Sequence, residues 1–466
     1  MMTSWCDQRK PVFPLGGGTL SATRCHWTAG PNCPRVYGMV RILPVRRMFR
    51  LCRLLQCTLL MGALLVALVV TNIRISKVMD ASGGNVETWA SHDQTTRHQD
   101  VRQGPHDPTI ETIQQRVRHV QNRCRGMQGN QGVLRRVYVS EGTKLAYCPV
   151  AKIGTTFWKR VFLFLNNDTG LYNVPSPFQI PRSFVHYGNT TNTKVLKRGH
   201  MSGAILNRYT RIMFSRNPYA RLWSAYLDKL YLPDFWKKHA GKIIKTRTNI
   251  TEEASKCHND VSFREFLEYV VSGSKVRKNE HWQPIKYRCD PCQFRPNIVG
   301  KMETFSDDAR YTLEGNGRGW MLKSFDYDAY VREELTTLID YNFDVRLGTF
   351  LYTCINKTEL IRRLWTVFQW NGFLSNNTDA TSVVEKLTKM PNINRTVFRK
   401  FVLDTYFSAP KMERKKWKNQ RQEALIAAYK YIPISLLKSV MELFKDDFED
   451  FGYSNIPPGS EYVAQQ

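Results

Sequence analysis

Between Tyr147 and Arg160 the chain places a lysine, a glycine and two hydroxyls together, as Lys152-Ile153-Gly154-Thr155-Thr156. A cation, hydroxyl donors and a residue without a side chain, at this spacing, suit a phosphate-like anion. Before them, Leu145-Ala146-Tyr147 is apolar and reads as a buried strand. After them, Phe157, Trp158, Val161, Phe162 and Leu165 recur on one helical face. A strand, a short loop and a helix start would bring backbone N–H groups and the positive helix end to the anion, and Gly154 would allow close approach. The pattern G-x-x-x-x-G-K-[ST] of a Walker loop is absent, which disfavours a P-loop kinase. A plain capped helix would use the same residue types.

A second group stands at Arg216-Asn217-Pro218, Arg221-Leu222 and Ser224-Ala225-Tyr226. Ile212 to Phe214 reads as a strand, and Pro218 suits the first turn of a helix. Tyr219, Leu222, Trp223 and Tyr226 continue that helix. Arg216 then sits at a strand end and Ser224 in the following helix, where a guanidinium and a hydroxyl can share one phosphate. Arg221 falls three residues before Ser224; standing alone, it reads as a surface arginine.

Together these stretches resemble the carbohydrate sulfotransferases of the Golgi chondroitin, dermatan and HNK-1 type. Two further segments fit: His281-Trp282 running to Cys289-Asp290-Pro291-Cys292 and Val299-Gly300-Lys301-Met302-Glu303, and Asp447-Phe448-Glu449-Asp450-Phe451-Gly452-Tyr453. The resemblance extends in order from about Leu145 to Tyr453. It departs at Asn217, where many members carry Glu, and in the basic insert around 237–259.

The resemblance implies a donor, PAPS (3′-phosphoadenylyl sulfate), and no metal. Lys152, Ile153, Gly154, Thr155, Thr156, Phe157 and Trp158 would hold its 5′-phosphosulfate, and Arg216 and Ser224 its 3′-phosphate. Lys152 would be catalytic through the charge that grows on the leaving phosphate. A base must take the acceptor proton. His281, in the family-like His-Trp element, is favoured, with His186, His200 and Glu280 as alternatives. A histidine packed structurally beside Trp282 is the other use of His281.

The elements that would position these groups alternate strand with helix. That pattern indicates an α/β fold with a parallel sheet flanked by helices, and the resemblance makes it a P-loop-like, PAPS-binding sulfotransferase fold. Val261, Phe263, Phe266, Leu267 and Val270 mark a helix, Asn297 to Met302 a strand, and Thr304-x-x-Asp307 a capping box. Ala424 to Phe444 reads as helix broken at Pro433. Residues 168–208 read as loop-rich and 236–260 as a basic loop, both open to acceptor binding.

Residues 1–53 carry nine Arg or Lys against one acid, Asp7, and read as a cytoplasmic tail. Leu54 to Ile73 is free of charge and long enough to cross a bilayer core. The basic flank places the N-terminus in the cytoplasm, giving a single-pass type II protein of the Golgi membrane with its bulk lumenal. Residues 74–130 read as a lumenal stem, 131–456 as the catalytic domain and 457–466 as a tail. Six Asn-x-Ser/Thr sequons, at Asn167, Asn189, Asn249, Asn356, Asn376 and Asn394, all fall beyond the span. So do Cys124, Cys148, Cys257, Cys289, Cys292 and Cys354, an even set suited to disulfides, whose pairing spacing leaves open.

The formal net charge is +28 with an ordinary apolar fraction of 42%. It implies a polyanionic partner. No nucleic-acid-binding signature is present, so the expected partner is a glycan acceptor, acidic or neutral, foremost a glycosaminoglycan. The competing class is an inactive, glycosaminoglycan-binding type II membrane protein, which need not keep Lys152, Arg216 and Ser224 together.

Overall fold

The computed structural model describes residues 108–125, 133–170, 172–198, 202–272, 279–346, 353–390 and 393–460. The tail, the span Leu54–Ile73 and His200 lie outside the described residues. Among the described residues no single helix is long and apolar enough to cross a membrane.

Five strands form one sheet: β1 (Arg136–Ser140), β2 (Leu145–Tyr147), β3 (Lys194–Lys197), β4 (Thr210–Ser215) and β5 (Ile298–Lys301), in the order β3-β1-β2-β4-β5. The sheet is mixed, which corrects the expectation of a parallel one. β2, β4 and β5 are parallel to one another, while β1 runs antiparallel to both β2 and β3. The reason is local. Glu141 to Lys144 form a tight turn with Lys144 left-handed, so β1 and β2 close as a hairpin. The parallel pairs instead need crossovers, which supply the helices.

Two apolar cores result. One lies on the sheet and buries Val137, Tyr147, Trp158, Phe162, Met213 and Phe214. The other is helical and collects Trp236, Phe266, Trp282, Leu335, Trp365 and Phe398. Helix α1 (Pro108–Arg125), inside the segment read as stem, buries Ile113 and Val120 against the sheet core. Arg116 reaches Asp308 at 2.6 Å, and Arg123 pairs with Glu449.

All six described cysteines are paired, as Cys124–Cys292, Cys148–Cys289 and Cys257–Cys354. The two cysteines of Cys-Asp-Pro-Cys therefore serve separate tethers. The segment 236–260 is not a basic loop. Trp236, Ala240, Ile243 and Ile244 recur at helical spacing, and their burial folds Trp236–Ala240, Gly241–Ile244 and Glu252–Cys257 into helical turns. The capping box at Thr304 does not form either. Its hydroxyl donates to Asp308, at 2.7 Å, and that carboxylate also accepts the Lys301 N–H at 2.7 Å.

Gly300 on β5 lies opposite Phe214 on β4. A Cβ there would stand 2.3 Å from the Phe214 ring. That ring is packed against Trp158 and Phe305, with centroids 5.0 and 5.4 Å away, so it has no room to retreat. Gly300→Ala should therefore cost about 1–3 kcal/mol, the usual overpacking penalty. The check is chemical denaturation of the folded chain; an unchanged midpoint would show that the ring can move.

Candidate active site

Between β2 and helix α2 (Thr155–Leu165) the chain makes a tight loop with two left-handed residues, Lys152 (φ 67°) and Gly154 (φ 58°). For a lysine that conformation costs on the order of 1–2 kcal/mol. Side chains from the next crossover hold it. The Lys152 carbonyl accepts from Arg216 Nη1 at 3.1 Å, and the Ala151 carbonyl from Arg221 Nε at 3.2 Å. Thr155 Oγ1 donates to the Val150 carbonyl at 2.6 Å. Gly154 is required twice, for its φ and because a Cβ would stand 2.6 Å from the Phe305 ring. Having no side chain, it cannot cap α2, so the N–H groups of the first turn remain for an anion.

Arg216 and Arg221 flank the start of helix α4, which follows helix α3 (Arg182–Tyr187) and spans Pro218–Tyr226. Asn217 caps α4, accepting from Tyr219 N at 2.9 Å. Arg221 is not on the surface but 1% exposed. Besides Ala151 it donates to the carbonyls of Gln283, at 2.7 Å, and Glu280, at 3.0 Å. Asp447 lies 3.9 Å away. Burial forces Arg221 down to about 10, with Asp447 opposing. Ser224 is half-buried one turn later and makes no hydrogen bond to Arg216 among the described residues.

Past Tyr226 the helix widens into a π-helical turn, Leu227–Tyr231, which carries Asp228 and Lys229. Lys152 Nζ meets Asp228 at 2.8 Å, and Lys229 Nζ lies 3.3 Å from the same carboxylate. Lys229 also meets Asp234 at 2.5 Å, which accepts from the Tyr341 hydroxyl. Burial raises the Asp228 carboxyl, but Lys152 and Lys229 more than reverse this and leave it below its ordinary range. Burial likewise lowers Lys152, and Asp228 only partly restores it.

A cavity of about 390 Å³ opens beside the loop, lined by Met302, Thr304, Phe305, Tyr327, Lys418 and Arg421 among others. Phe305 and Met302, which crowd Gly154, form its wall on the loop side. Burial and then the charge of Arg421 draw Arg216 down to about 10, with Glu303 opposing. Arg421 lines the cavity and Arg216 lies within its electrostatic reach, a pair of cations that favours an anion.

The base candidates separate. His281 is half-buried, and its Nδ1 lies 2.6 Å from Asn279 Oδ1. Burial, then Lys229 and Lys152, push it down to about 3, with Asp228 opposing, so it is neutral at physiological pH. His186 on α3 is exposed, and its Nε2 meets Thr156 Oγ1 at 3.1 Å. Burial of the ring edge and then Lys159 push it down to about 4. The Glu280 carboxylate is taken by Arg288 at 2.9 Å.

The loop and the crossover thus bring together Lys152, Gly154, Thr155, Thr156 and Arg216. Ile153 and Trp158 are buried in the sheet core with backbone N–H groups bonded to Val150 and Gly154. Phe157 packs against Phe178 and Phe305 with its side chain. Sequence reasoning missed Asp228, Lys229, Asn279 and Arg421. Asp228 and Lys229 follow directly on Tyr226, so extending the helical reading by a turn reaches them. Nothing in the spacing points to Arg421, which arrives from a distant helix.

The chain was also compared by sequence and structure with known proteins. Residues 135–319 match a family model described as the sulfotransferase family. Over that stretch the chain resembles the sulfotransferase family. It is 34% identical over 230 residues to carbohydrate sulfotransferase 11 of Mus musculus, covering 47% of this chain and 64% of that protein. It is 35% identical over 228 residues to carbohydrate sulfotransferase 9 of Homo sapiens, covering 46% and 50%. Carbohydrate sulfotransferase 14 of Danio rerio shares 30% over 187 residues, covering 40% and 49%. The chain thus spans between 42% and 64% of the length of the curated relatives it matches. No solved structure matches. The matched stretch includes the loop, α4 and His281.

Arg221 generates a test. As a clamp on three buried carbonyls it supports the fold; as a surface cation it would not. Arg221→Lys keeps the charge, but its donors sit on one nitrogen and cannot span carbonyls that meet three separate guanidinium nitrogens, and each bond left unmade costs about 1–3 kcal/mol. A thermal melt should show the loss, and a normal melting midpoint would remove the clamp assignment.

Proposed function

We propose that this chain transfers a sulfuryl group from PAPS to a hydroxyl of a glycan, foremost a glycosaminoglycan or a glycoprotein sugar chain. The observation that carries it is the Lys152 loop: a lysine held in a left-handed turn, beside free helix N–H groups, with Arg216 on its carbonyl and Arg421 lining the adjoining cavity. The 5′-phosphosulfate would lie on the first-turn amides of Gly154, Thr155, Thr156 and Phe157, with the Thr156 hydroxyl beside them. Ile153 and Trp158 would shape that loop from the core. Arg216, joined by Arg421 and with Ser224 as a hydroxyl donor, would take the 3′-phosphate. The adenosine would enter the cavity beside Phe305.

In the reaction the acceptor oxygen bonds to sulfur while the bond from sulfur to the bridging oxygen breaks, leaving its electron pair on the phosphate. Lys152 answers that growing charge, and positioning with electrostatics supplies the rest. The acceptor proton passes to His281, neutral in this setting and near Lys152 and Asp228. His186, on the exposed face at Thr156, faces the acceptor side of the loop.

A lumenal Golgi setting fits the three disulfides, which belong to an oxidising compartment. The side chains of all six sequon asparagines are exposed. Asn356 and Asn394 cap helices through Oδ1 and leave Nδ2 for a sugar. The span Leu54–Ile73 would anchor the chain as type II. The deciding experiment offers radiolabelled PAPS to the full chain with a panel of desulfated glycosaminoglycans and glycoprotein glycans. Label in any glycan supports the reading; binding of glycan without transfer would support an inactive binding protein.

Lys152 gives a sharper prediction. A cation at the leaving phosphate is worth more in the transition state than in the ground state. Lys152→Ala should lower turnover by roughly a hundred- to a thousandfold, while affinity for PAP falls less because Arg216 and the loop amides remain. Lys152→Arg should not restore turnover fully. Arg216→Ala should do the reverse, weakening PAP by about 1.5–3 kcal/mol with a smaller change in turnover. The measurements are turnover at saturating PAPS and the PAP dissociation constant. A Lys152→Ala enzyme with near-normal turnover would make Lys152 a binding residue only.

A further inference from the structure

His281 does not stand alone. Its backbone N–H lies 3.0 Å from Asn279 Oδ1 and its ring Nδ1 lies 2.6 Å from the same atom. On the other side Asn279 Nδ2 lies 3.0 Å from His239 Nε2, and His239 Nδ1 lies 3.4 Å from the Tyr269 hydroxyl. Asn279 and His239 are 8% and 4% exposed, so water does not compete for these bonds.

One group in this row settles the protons of all the others. A backbone N–H can only donate. The Asn279 atom that meets the His281 N–H is therefore the carbonyl oxygen, which fixes the amide. The same oxygen can only accept, so His281 Nδ1 carries the ring proton and Nε2 is left bare. The amide nitrogen can only donate, so His239 Nε2 is also bare. His239 then carries its proton on Nδ1, which donates to the Tyr269 oxygen. Phe235 and Trp282 hold both rings in place, with centroids 5.0 Å from His239 in each case and Phe235 5.4 Å from His281.

We propose that the buried row Tyr269–His239–Asn279 locks His281 in the tautomer whose Nε2 is free to take the acceptor proton, which makes Asn279 and His239 positioning residues for sulfuryl transfer. This rests on the reading of His281 as the base. The proton goes from the acceptor hydroxyl to Nε2 as the oxygen bonds to sulfur. The bridging oxygen leaves on the phosphate with its electron pair. Nδ1–H stays on the Asn279 carbonyl throughout, so no second proton moves. A neutral amide suits this place. A carboxylate there would favour the protonated ring, in which Nε2 has no lone pair, and so raise the pH at which the base is lost. The charged groups around His281 act the other way: Lys229, Lys152 and Arg221 favour the neutral ring, and only Asp228 opposes them. Lys242 and Lys238 do the same for His239.

The test uses the full chain with PAPS and an acceptor glycan. Asn279→Asp keeps an oxygen for the His281 N–H, so the turn survives, but adds a charge at Nδ1. The acid limb of kcat/KM, which should lie below about pH 5 in the parent, should rise by about one unit or more. His239→Leu removes the acceptor that holds the amide; kcat should fall about tenfold with the PAPS Michaelis constant unchanged. His239→Gln, which offers an oxygen to Nδ2, should recover part of that loss. A purely structural row predicts lower melting midpoints with an unmoved pH profile, and that result would overturn the proposal. His281→Gln separates the two readings. If it retains turnover within a fewfold, the base assignment itself fails. If it is inactive while Asn279→Asp and His239→Leu both behave like the parent, only the positioning row fails.

Discussion

The site depends on one buried guanidinium. Arg221 donates to the Ala151 carbonyl on one side and to the Glu280 and Gln283 carbonyls on the other. The first belongs to the loop that carries Lys152, the others bracket His281. Two segments far apart in sequence are therefore registered by a single planar fork. A lysine could not do this, because an ammonium lacks the rigid spread of five donors. A guanidinium kept out of water is costly unless its hydrogens are satisfied. Carbonyl dipoles serve most of them here, and Asp447 supplies a counter-charge at 3.9 Å. Asp447 is itself occupied, accepting the Ile285 N–H at 2.9 Å. The C-terminal segment, through Asp447, is thereby drawn to the same point.

Charge around the loop is arranged so that cations outnumber their partners. Lys152 and Lys229 share Asp228, with Asp234 also on Lys229, while Arg216 and Arg421 repel each other with Glu303 and Tyr453 opposing. Glu303 is in turn engaged by the Asn217 N–H, at 3.0 Å, and by the Tyr453 hydroxyl, at 2.9 Å. Such an excess would be unstable in a core. It is sustainable at a cavity, where water or an anion can enter. The left-handed Lys152 belongs to the same economy: its strain is local, and the Arg216 bond to its carbonyl holds the turn in shape.

Much of the scaffold was legible because burial writes itself in runs and periods. Leu145 to Tyr147, Ile212 to Phe214 and Asn297 to Met302 read as strands and fold as β2, β4 and β5, and the helices after Gly154 and at Pro218 follow their apolar spacing. The hairpin was not legible. β1 and β3 are short strands with Arg136, Lys194 and Lys197 at their ends, too brief to show a pattern. Side-chain destinations were harder still. Arginine type and helical spacing suggest surface for Arg221, because what buries it is the supply of carbonyls from two other segments. Arg421 and Asn279 owe their places to tertiary packing alone. Asp308 shows the same effect at smaller scale: it takes the Thr304 hydroxyl and Arg116 together, and the local capping box is lost to those partners.

The covalent tethers repeat the message of Arg221. Cys148 directly follows β2 and is joined to Cys289, beyond His281 in the same segment that Arg221 grips. Backbone bonds add a third link, with Val133 N donating to Lys286 O at 2.9 Å and Arg135 N to Arg288 O at 3.1 Å. The sheet that carries the Lys152 loop and the segment that carries His281 are thus joined by an ion, a disulfide and a short backbone ladder. The three links differ in what they resist. The disulfide limits separation, the ladder sets register along β1, and the guanidinium orients the carbonyls next to Lys152 and His281. A transfer reaction that relies on positioning needs the last of these most, since separation and register can be right while the reacting groups point the wrong way. That is why the clamp, though non-covalent, is the element on which the geometry of the site turns.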